Sequence, residues 1–345
     1  MSPSAIASGR ILMVDLLRLL ATVQMVQGHT IDAVLDPLHR SGPVHDGWTV
    51  ARGLTSVAFL FVAGLSFHIA TLQRFERHRG DPTAIAQRFR RAGTLVLIGY
   101  VLHFPAAWLL SSDPVVRSAA LHEAAIVDIL QCIGLVLAVL EVLVLWLPSR
   151  RAVELACGGV GAGILALSPL GATLDPSGAL RPVLNYVTPT GGSIFPLLPW
   201  AAHMFLGVAL APLLLGGRQW ARCAGTGAAL LAAAWAAGGT EPVSSEHLGR
   251  LGWVLVGCGG LALLAPAARS WPPWLLGLAG ETLFIYVLHI VLAYGQGIGL
   301  SDRVGPVLGV GQSVLLAAAM IVLSCGGALI YRRLASGLAA RTATS

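Results

Sequence analysis

Apolar windows long enough to cross a membrane constrain this chain more than any other feature. A transmembrane helix needs about 20 consecutive, predominantly apolar residues. About ten such windows are present, and only 11% of the 345 residues are charged, against roughly 25% in soluble domains. The chain is therefore predicted to be an all-α integral membrane protein with one polytopic domain over residues 1–345. The windows are 11–31, 49–72, 93–110, 124–147, 152–168, 194–215, 223–239, 250–266, 274–296 and 307–331.

The arginines predict how these spans are oriented. All 22 basic residues are arginine, and most fall in alternate loops, which the positive-inside rule assigns to the cytoplasm. This distribution predicts ten spans with both termini cytoplasmic, as in a multi-pass protein of a bacterial inner membrane. The net charge of +6 is explained by arginines in the cytoplasmic loops and does not indicate nucleic-acid binding. The cytoplasmic set is Arg10, Arg74, Arg77, Arg79, Arg88, Arg90, Arg91, Arg150, Arg151, Arg218, Arg222, Arg269, Arg332, Arg333 and Arg341.

The first window carries charged residues that should lie in lipid. Its polar positions are spaced three and four residues apart, which places them on one face of a helix. Ionisable groups at membrane depth usually face a protein interior or a water-filled cavity and mark function. Asp15 and Arg18, one turn apart, are expected to neutralise each other. The full stripe is Asp15, Arg18, Thr22, Met25, His29 and Asp32.

His29 and Asp32 form the strongest candidate for chemistry. A carboxylate beside a histidine orients the ring and stabilises its protonated form, which is the usual arrangement of a general base. The alternative is a helix cap or a surface contact. A metal site with His29, Asp32, His39 and His45 is a second alternative, but the spacing matches no standard zinc signature, and no metal is predicted.

Other spans add polar groups at a similar depth. Asp128 and Gln131 lie one turn apart in the fourth window, and Tyr286 and His289 lie on one stripe of the ninth. Each of these residues taken alone fits an interhelical hydrogen bond. Together they predict a buried polar cavity, to which Trp48, just before the second window, and Arg52, within it, are also assigned. The basic inner loop 73–91 either anchors the topology against anionic lipids or binds the phosphates of a cytoplasmic ligand.

Several segments resemble a known family. RILMVDLLRLLATVQMVQGHTID resembles the first helix of the transmembrane acyltransferase superfamily, and Arg18 and His29 keep its arginine–histidine separation. WTVARGLTSVAFLFVAGLSF is similar to the second helix of the branch related to heparan-α-glucosaminide N-acetyltransferase. DILQCIGL, FPLLPWAAHMFLGVAL and LGLAGETLFIYVLHI are similar to later helices of that branch, so the resemblance covers about 10–295. The chain departs from the family pattern at Leu19, where a glycine is common, and lacks an asparagine–glycine pair after Trp48.

The resemblance implies an enzyme that passes an acyl group, expected to be acetyl, from cytoplasmic acyl-CoA to an acceptor outside. It implies His29 as the catalytic base oriented by Asp32, with His45 as the second candidate, because His45 precedes a tryptophan by three positions. Asp15, Arg18, Arg74 and Arg77 would support or bind the donor. Acetyl-CoA is the implied donor substrate, membrane lipids surround the protein, and the acceptor is a saccharide, a lipid or a secreted metabolite.

A proton-coupled transporter or exporter is the main alternative from another class. In that reading the same stripes would form a His/Asp proton relay. A membrane scaffold is the third reading, but scaffolds do not need buried charges in several spans. The sequence leaves the oligomeric state open, with a homodimer as one option. It also leaves open whether His29 or His45 acts as the base.

Overall fold

The computed structural model describes residues 11–105, 111–238 and 242–342, and these residues are almost entirely helical. Within these ranges the only strand-like pairing is an isolated bridge between Leu35 and Leu308. Short 3₁₀ turns occupy Pro37–His39, Leu72–Arg74, Gly178–Leu180, Pro189–Gly191 and Leu278–Gly280. The α-helices are α1 Leu12–Val34, α2 Pro43–Ala70, α3 Phe75–Arg79, α4 Pro82–Leu102, α5 Pro114–Ala124, α6 Ile129–Trp146, α7 Arg150–Gly171, α8 Arg181–Leu184, α9 Leu197–Leu214, α10 Gln219–Ala237, α11 Pro242–Ala268, α12 Pro273–Gly277, α13 Thr282–Tyr294, α14 Leu300–Arg303 and α15 Val310–Thr342.

Six helices in the described part of the chain are long and apolar enough to cross a membrane: α2, α6, α7, α9, α11 and α15. A seventh span results if α12 and α13, which are bent by 75° at their break, are counted as one. The all-helical prediction is confirmed. Helices α1, α4 and α10 are long enough but less apolar, so ten spans and cytoplasmic termini stay predictions. The end of the third window, 106–110, lies outside the described residues.

The chain divides into two compact units, and the first contains residues 11–55 and 261–342 of the described part. Here α1 packs against α13 and α15, which also pack against each other. Leu16, Ala268 and Leu276 form one buried apolar cluster near the start of α1. Ile31, Leu35 and Ala317 form a second near its end, with Trp48 packed against it. The unit therefore holds α1 in a fixed position along its length.

The second unit contains the described residues between 56 and 260. Helix α4 packs against α6, and α7 and α6 both pack against α9. Glycines permit close approach of the backbones, as small residues do between membrane helices. Gly64 of α2 lies against the backbone of Met204 and Gly207 in α9, and Gly161 of α7 lies against Leu206. A side chain at Gly64 or Gly207 would meet the backbone of the other helix and force the two helices apart.

Two segments differ from the sequence-based expectation. The basic segment 73–91, predicted as a loop, is mostly helical, because Asp81 caps α4 and Pro82 stands at its first position. Helix α4 therefore begins eleven residues before the third apolar window. The ninth window, predicted as one span, is broken at Leu278–Gly280, where a 3₁₀ turn separates α12 from α13.

Candidate functional site

The polar stripe of α1 faces the interior of the first unit. Asp15, Thr22 and Met25 are buried, whereas Leu20 and Val23 on the other face are exposed. The Asp15 carboxylate lies 3.7 Å from an Arg18 guanidinium nitrogen, which is the pairing that the i, i+3 spacing predicts. The Thr22 hydroxyl donates a 2.7 Å hydrogen bond to the Arg18 carbonyl oxygen. The stripe is thus accommodated by burial and local pairing.

Asp32, at the end of the stripe, is held by an ion pair with Arg52. Arg52 Nη1 donates to Asp32 Oδ1 at 2.6 Å, and Nη2 contacts Oδ2. Two-point contacts of this kind are among the strongest and most directional in proteins. The Arg52 guanidinium also lies 5.4 Å from the Trp48 ring centroid, within cation–π range. Arg52 therefore joins the start of α2 to the end of α1.

The last turn of α1 is fixed by two further features. Arg40 Nη2 donates to the carbonyl oxygens of Asp32 and Leu35, at 2.9 and 2.8 Å, and so satisfies acceptors that a helix end leaves open. A Cβ atom at Gly28 would lie 3.3 Å from Arg52 Cδ. The glycine therefore provides the room in which the Arg52 side chain reaches Asp32.

His29 contacts two residues of α13: His289, which lies on the predicted stripe, and Tyr294, which does not. His29 Nδ1 lies 3.4 Å from Tyr294 Oη, and Tyr294 Oη donates to the His29 carbonyl oxygen at 3.0 Å. The His29 and His289 rings are 5.3 Å apart, and Tyr286 stands edge-on to His289 at 5.5 Å. His289 is fully buried, and its Nδ1 donates to the Ile285 carbonyl oxygen. The structure thus brings together the two stripes that the sequence suggested separately.

His45 stands in the first turn of α2, on the same face as Trp48 and Arg52. Its ring is 5.5 Å from the Trp48 ring, and Nδ1 is 3.9 Å from the Asp46 carboxylate. About one fifth of its side chain is exposed (22%), so an outside molecule has access to it. These contacts form one polar cluster in the first unit. It is called the histidine cluster here and consists of His29, Asp32, His45, Trp48, Arg52 and Tyr294.

The second unit contains two adjacent basic cavities that share Arg74 and Arg77. Guanidinium groups dominate both linings, which suits anionic ligands. The cavity of about 390 Å³ is lined by Ala70, Arg74, Arg77, His78, Asp81, Ala84, Gln87, Arg88 and Arg91. The cavity of about 620 Å³ is lined by Leu72, Gln73, Arg74, Phe75, Glu76, Arg77, Ser149, Arg150, Arg151 and Glu154.

Arg88, which lines the smaller cavity, is half-buried and close to Arg91. Burial lowers the pKa of Arg88, and the neighbouring Arg91 lowers it further, while Glu141 acts in the opposite direction. An anion bound there would relieve this repulsion. Arg79, from the same basic segment, instead donates to the Leu145 and Leu147 carbonyl oxygens at the end of α6 and has a structural role.

Asp128 and Gln131, predicted to line a cavity, form the N-terminal cap of α6. The Asp128 backbone N–H donates to Gln131 Oε1 at 3.2 Å, and the Asp128 carboxylate lies 3.6 Å from His103 Nε2. Gln131 is fully buried and packs against Gly99 of α4. These contacts explain both residues as parts of a helix terminus; a role in binding substrate stays a prediction.

Sequence reasoning missed two buried pairs of histidine and glutamate in the second unit. His78 Nε2 lies 2.5 Å from Glu141 Oε1, and His68 Nε2 lies 2.9 Å from Glu154 Oε1. Glu141 interrupts the apolar run of α6, and an acid in such a run needs a partner, which was the signal available. Among the described residues, no group of three or more His, Cys, Asp or Glu side chains is arranged to hold a metal ion.

The fold and the polar cluster define a multi-pass, all-helical membrane protein with ionisable groups inside its helices. The model of the heparan-alpha-glucosaminide N-acetyltransferase catalytic family matches residues 10–240. The chain belongs to this family, which indicates an acetyltransferase-type membrane enzyme and does not favour the transporter reading. None of the curated proteins compared with the chain matches it. The match includes α1, α2 and both basic cavities and ends before α13.

Proposed function

We propose that this protein transfers an acyl group, expected to be acetyl, from cytoplasmic acyl-CoA to a hydroxyl or amine outside the membrane. The acceptor would be an envelope glycan, a lipid or a secreted metabolite, and the location a bacterial inner membrane. The observation that carries the proposal is the histidine cluster, whose members on α1 and α2 lie within the region that the acetyltransferase family model matches.

His29 is proposed as the general base. Its Nε2 takes the acceptor's proton as the acceptor oxygen or nitrogen bonds to the acyl carbon. The carbon–sulfur bond of the thioester then breaks, and the proton is passed to the leaving sulfur, so the products are the acylated acceptor and free CoA. His45 is the second candidate for this role, because it precedes Trp48 by three positions and its side chain is partly exposed.

Asp32 is proposed to act through Arg52. The sequence predicted that Asp32 orients His29, and the structure gives its carboxylate a two-point contact with Arg52. This ion pair fixes the turn of α1 on which His29 stands. Trp48 and Arg52 are proposed to line the acceptor side, together with Tyr286 and His289 beneath His29.

The donor's phosphates are proposed to bind the two basic cavities of the second unit. CoA carries a diphosphate and a separate 3′-phosphate, and adjacent cavities that share Arg74 and Arg77 suit a ligand with two anionic groups. Asp15 and Arg18 would support the donor electrostatically. Membrane lipids are the expected surroundings, and neither a metal nor a nucleic acid is part of the proposal.

The test measures acetyl-CoA turnover by the full chain in lipid nanodiscs. Purified protein is expected to hydrolyse acetyl-CoA slowly, or to exchange acetyl with labelled CoA, and His29→Ala is expected to reduce this rate by about 100-fold or more. His45→Ala shows which histidine is the base. His39→Ala is the matched control, because His39 is an exposed histidine of the same segment.

Two outcomes would overturn the proposal. One is wild-type turnover in both the His29→Ala and the His45→Ala proteins. The other is substrate-dependent proton flux in liposomes that does not depend on CoA, which would restore the transporter reading.

A further inference from the structure

Tyr294 stands at the end of α13 with its hydroxyl group against His29. The two rings are nearly perpendicular, with an angle of 88° and centroids 5.6 Å apart. Tyr294 Oη lies 3.0 Å from the His29 carbonyl oxygen and 3.4 Å from His29 Nδ1. One hydroxyl group thus faces both the backbone and the side chain of the proposed base.

The hydroxyl group has a single proton, and this decides how the ring of His29 is protonated. A carbonyl oxygen can only accept, so the phenolic proton is committed to the shorter contact with the backbone. The lone pairs of Tyr294 Oη are then left facing Nδ1 of His29. A ring nitrogen in front of a lone pair is favoured as N–H, so the neutral imidazole carries its proton on Nδ1.

Neighbouring groups support this arrangement. His289 Nδ1 donates to the Ile285 carbonyl oxygen, so this ring is fixed by its own helix. Asp32, Arg52 and Arg40 lie close enough to Tyr294 to interact with it electrostatically. The hydroxyl group of Tyr294 therefore lies near the charged groups at the end of α1, where the Asp32–Arg52 pair is found.

We infer that Tyr294 is a positioning residue: its hydroxyl group selects the His29 tautomer in which Nε2 is the unprotonated, basic nitrogen. This inference rests on the proposed function, in which His29 is the base. If the proton of the neutral ring sits on Nε2, this nitrogen cannot take the acceptor's proton. Loss of the tautomer therefore lowers kcat and leaves acetyl-CoA binding unchanged. Tyr294 lies beyond the part of the chain that the family model matches.

The experiment removes only the hydroxyl group, with Tyr294→Phe in the full chain. Solid-state NMR of ¹⁵N-histidine-labelled protein in lipid bilayers reports the tautomer, and the His29 signals are identified by their loss in His29→Asn. The wild type is expected to show a protonated Nδ1 and an unprotonated Nε2 at His29, and Tyr294→Phe to lose this preference. In the turnover assay kcat is expected to fall about 10-fold, with KM for acetyl-CoA unchanged.

Tyr331→Phe is the matched control, because this hydroxyl group belongs to the same unit while its ring stacks on Phe284 at 4.7 Å. It should leave the His29 tautomer and kcat as in the wild type. A thermal unfolding scan checks that Tyr294→Phe is folded.

The inference is overturned if the wild type carries its proton on Nε2, or if Tyr294→Phe keeps the Nδ1–H form. Either result leaves the proposed function in place when His29→Ala is inactive. Full activity of His29→Ala would instead remove the proposed function, whatever the tautomer. The two failures are therefore distinguishable.

Discussion

The two units of this protein bury histidines in different ways. In the second unit, His78 and His68 each contact a glutamate, and both side chains are almost fully buried. In the first unit, half-buried His29 contacts the phenol of Tyr294, and the nearby Asp32 carboxylate contacts Arg52. These two histidines thus contact an acid directly, and Glu154 also contacts Arg150, whereas the acid nearest to His29 along α1 contacts Arg52.

Under the proposed function, this difference separates structural histidines from the proposed base. A carboxylate beside a histidine is the familiar sign of a general base, yet the shortest such contacts among the described residues belong to His78 and His68, whose side chains are almost fully buried. There they tie helices together, as His78 and Glu141 tie α3 to α6. At His29 the proposed base instead contacts a phenol, and the Arg52 guanidinium balances the charge of the nearby Asp32 carboxylate.

The largest expected effect tests the structural role of Glu141. Glu141→Ala removes the partner of a buried histidine and is expected to lower the free energy of unfolding by about 3 kcal/mol. Thermal unfolding in detergent measures the loss. Glu246→Ala is the matched control, because Glu246 pairs with Arg250 on an exposed surface, where such pairs contribute about 0–1 kcal/mol. Loss of turnover at an unchanged melting temperature would show that Glu141 has a chemical role instead.

The next effect tests whether Asp32 acts through Arg52. A double-mutant cycle with Asp32→Asn and Arg52→Gln is expected to give a coupling energy of about 2 kcal/mol in the free energy of unfolding. Both single variants should also lower kcat, because each loosens the turn that carries His29. Additive effects of the two substitutions would contradict the ion pair as the link between α1 and α2.

Much of the fold could be predicted, because hydropathy is a local property of the sequence. The first window, 11–31, corresponds to α1 at Leu12–Val34, and the i, i+3 spacing correctly paired Asp15 with Arg18. The break at Leu278–Gly280 could not be seen, since the apolar character of the ninth window continues through it.

The partners within the histidine cluster depend on contacts between distant parts of the chain. Spacing along α1 favoured Asp32 as the partner of His29, but it does not show which side chains arrive from α2 and α13. Arg52, twenty residues further on, offers the carboxylate two charged donors and contacts both of its oxygens. Tyr294, 265 residues after His29, was not singled out at all, because a tyrosine at the end of an apolar helix is also typical of a membrane interface.

The third prediction separates the kinetic roles of the two units. Neutralising Arg74 and Arg77 together, as the Gln variants, is expected to raise KM for acetyl-CoA about 10-fold, or about 1.4 kcal/mol, with kcat unchanged. The effect should weaken with added salt, because the cavities are open to water. Arg117→Gln, which neutralises an exposed arginine of α5, is the control. A fall in kcat at constant KM would place these arginines in the chemical step.

The smallest effect comes from Gly28, which provides the space for Arg52. In Gly28→Ala the new methyl group would stand 3.3 Å from Arg52 Cδ, so the side chain must shift by a few tenths of an ångström. The stability lost from the Asp32–Arg52 pair is offset by the gain of about 1 kcal/mol that alanine brings to a helix. The melting temperature should therefore change little. The small shift of Arg52 is expected to raise the activation free energy by about 0.4 kcal/mol, which corresponds to a two-fold fall in kcat, because a tenfold change in rate needs about 1.4 kcal/mol.

The control is Gly311→Ala, where nothing lies within 4 Å of the new methyl group; this variant should leave kcat unchanged. Equal kcat values for the two alanine variants would mean that the position of Arg52 does not influence His29.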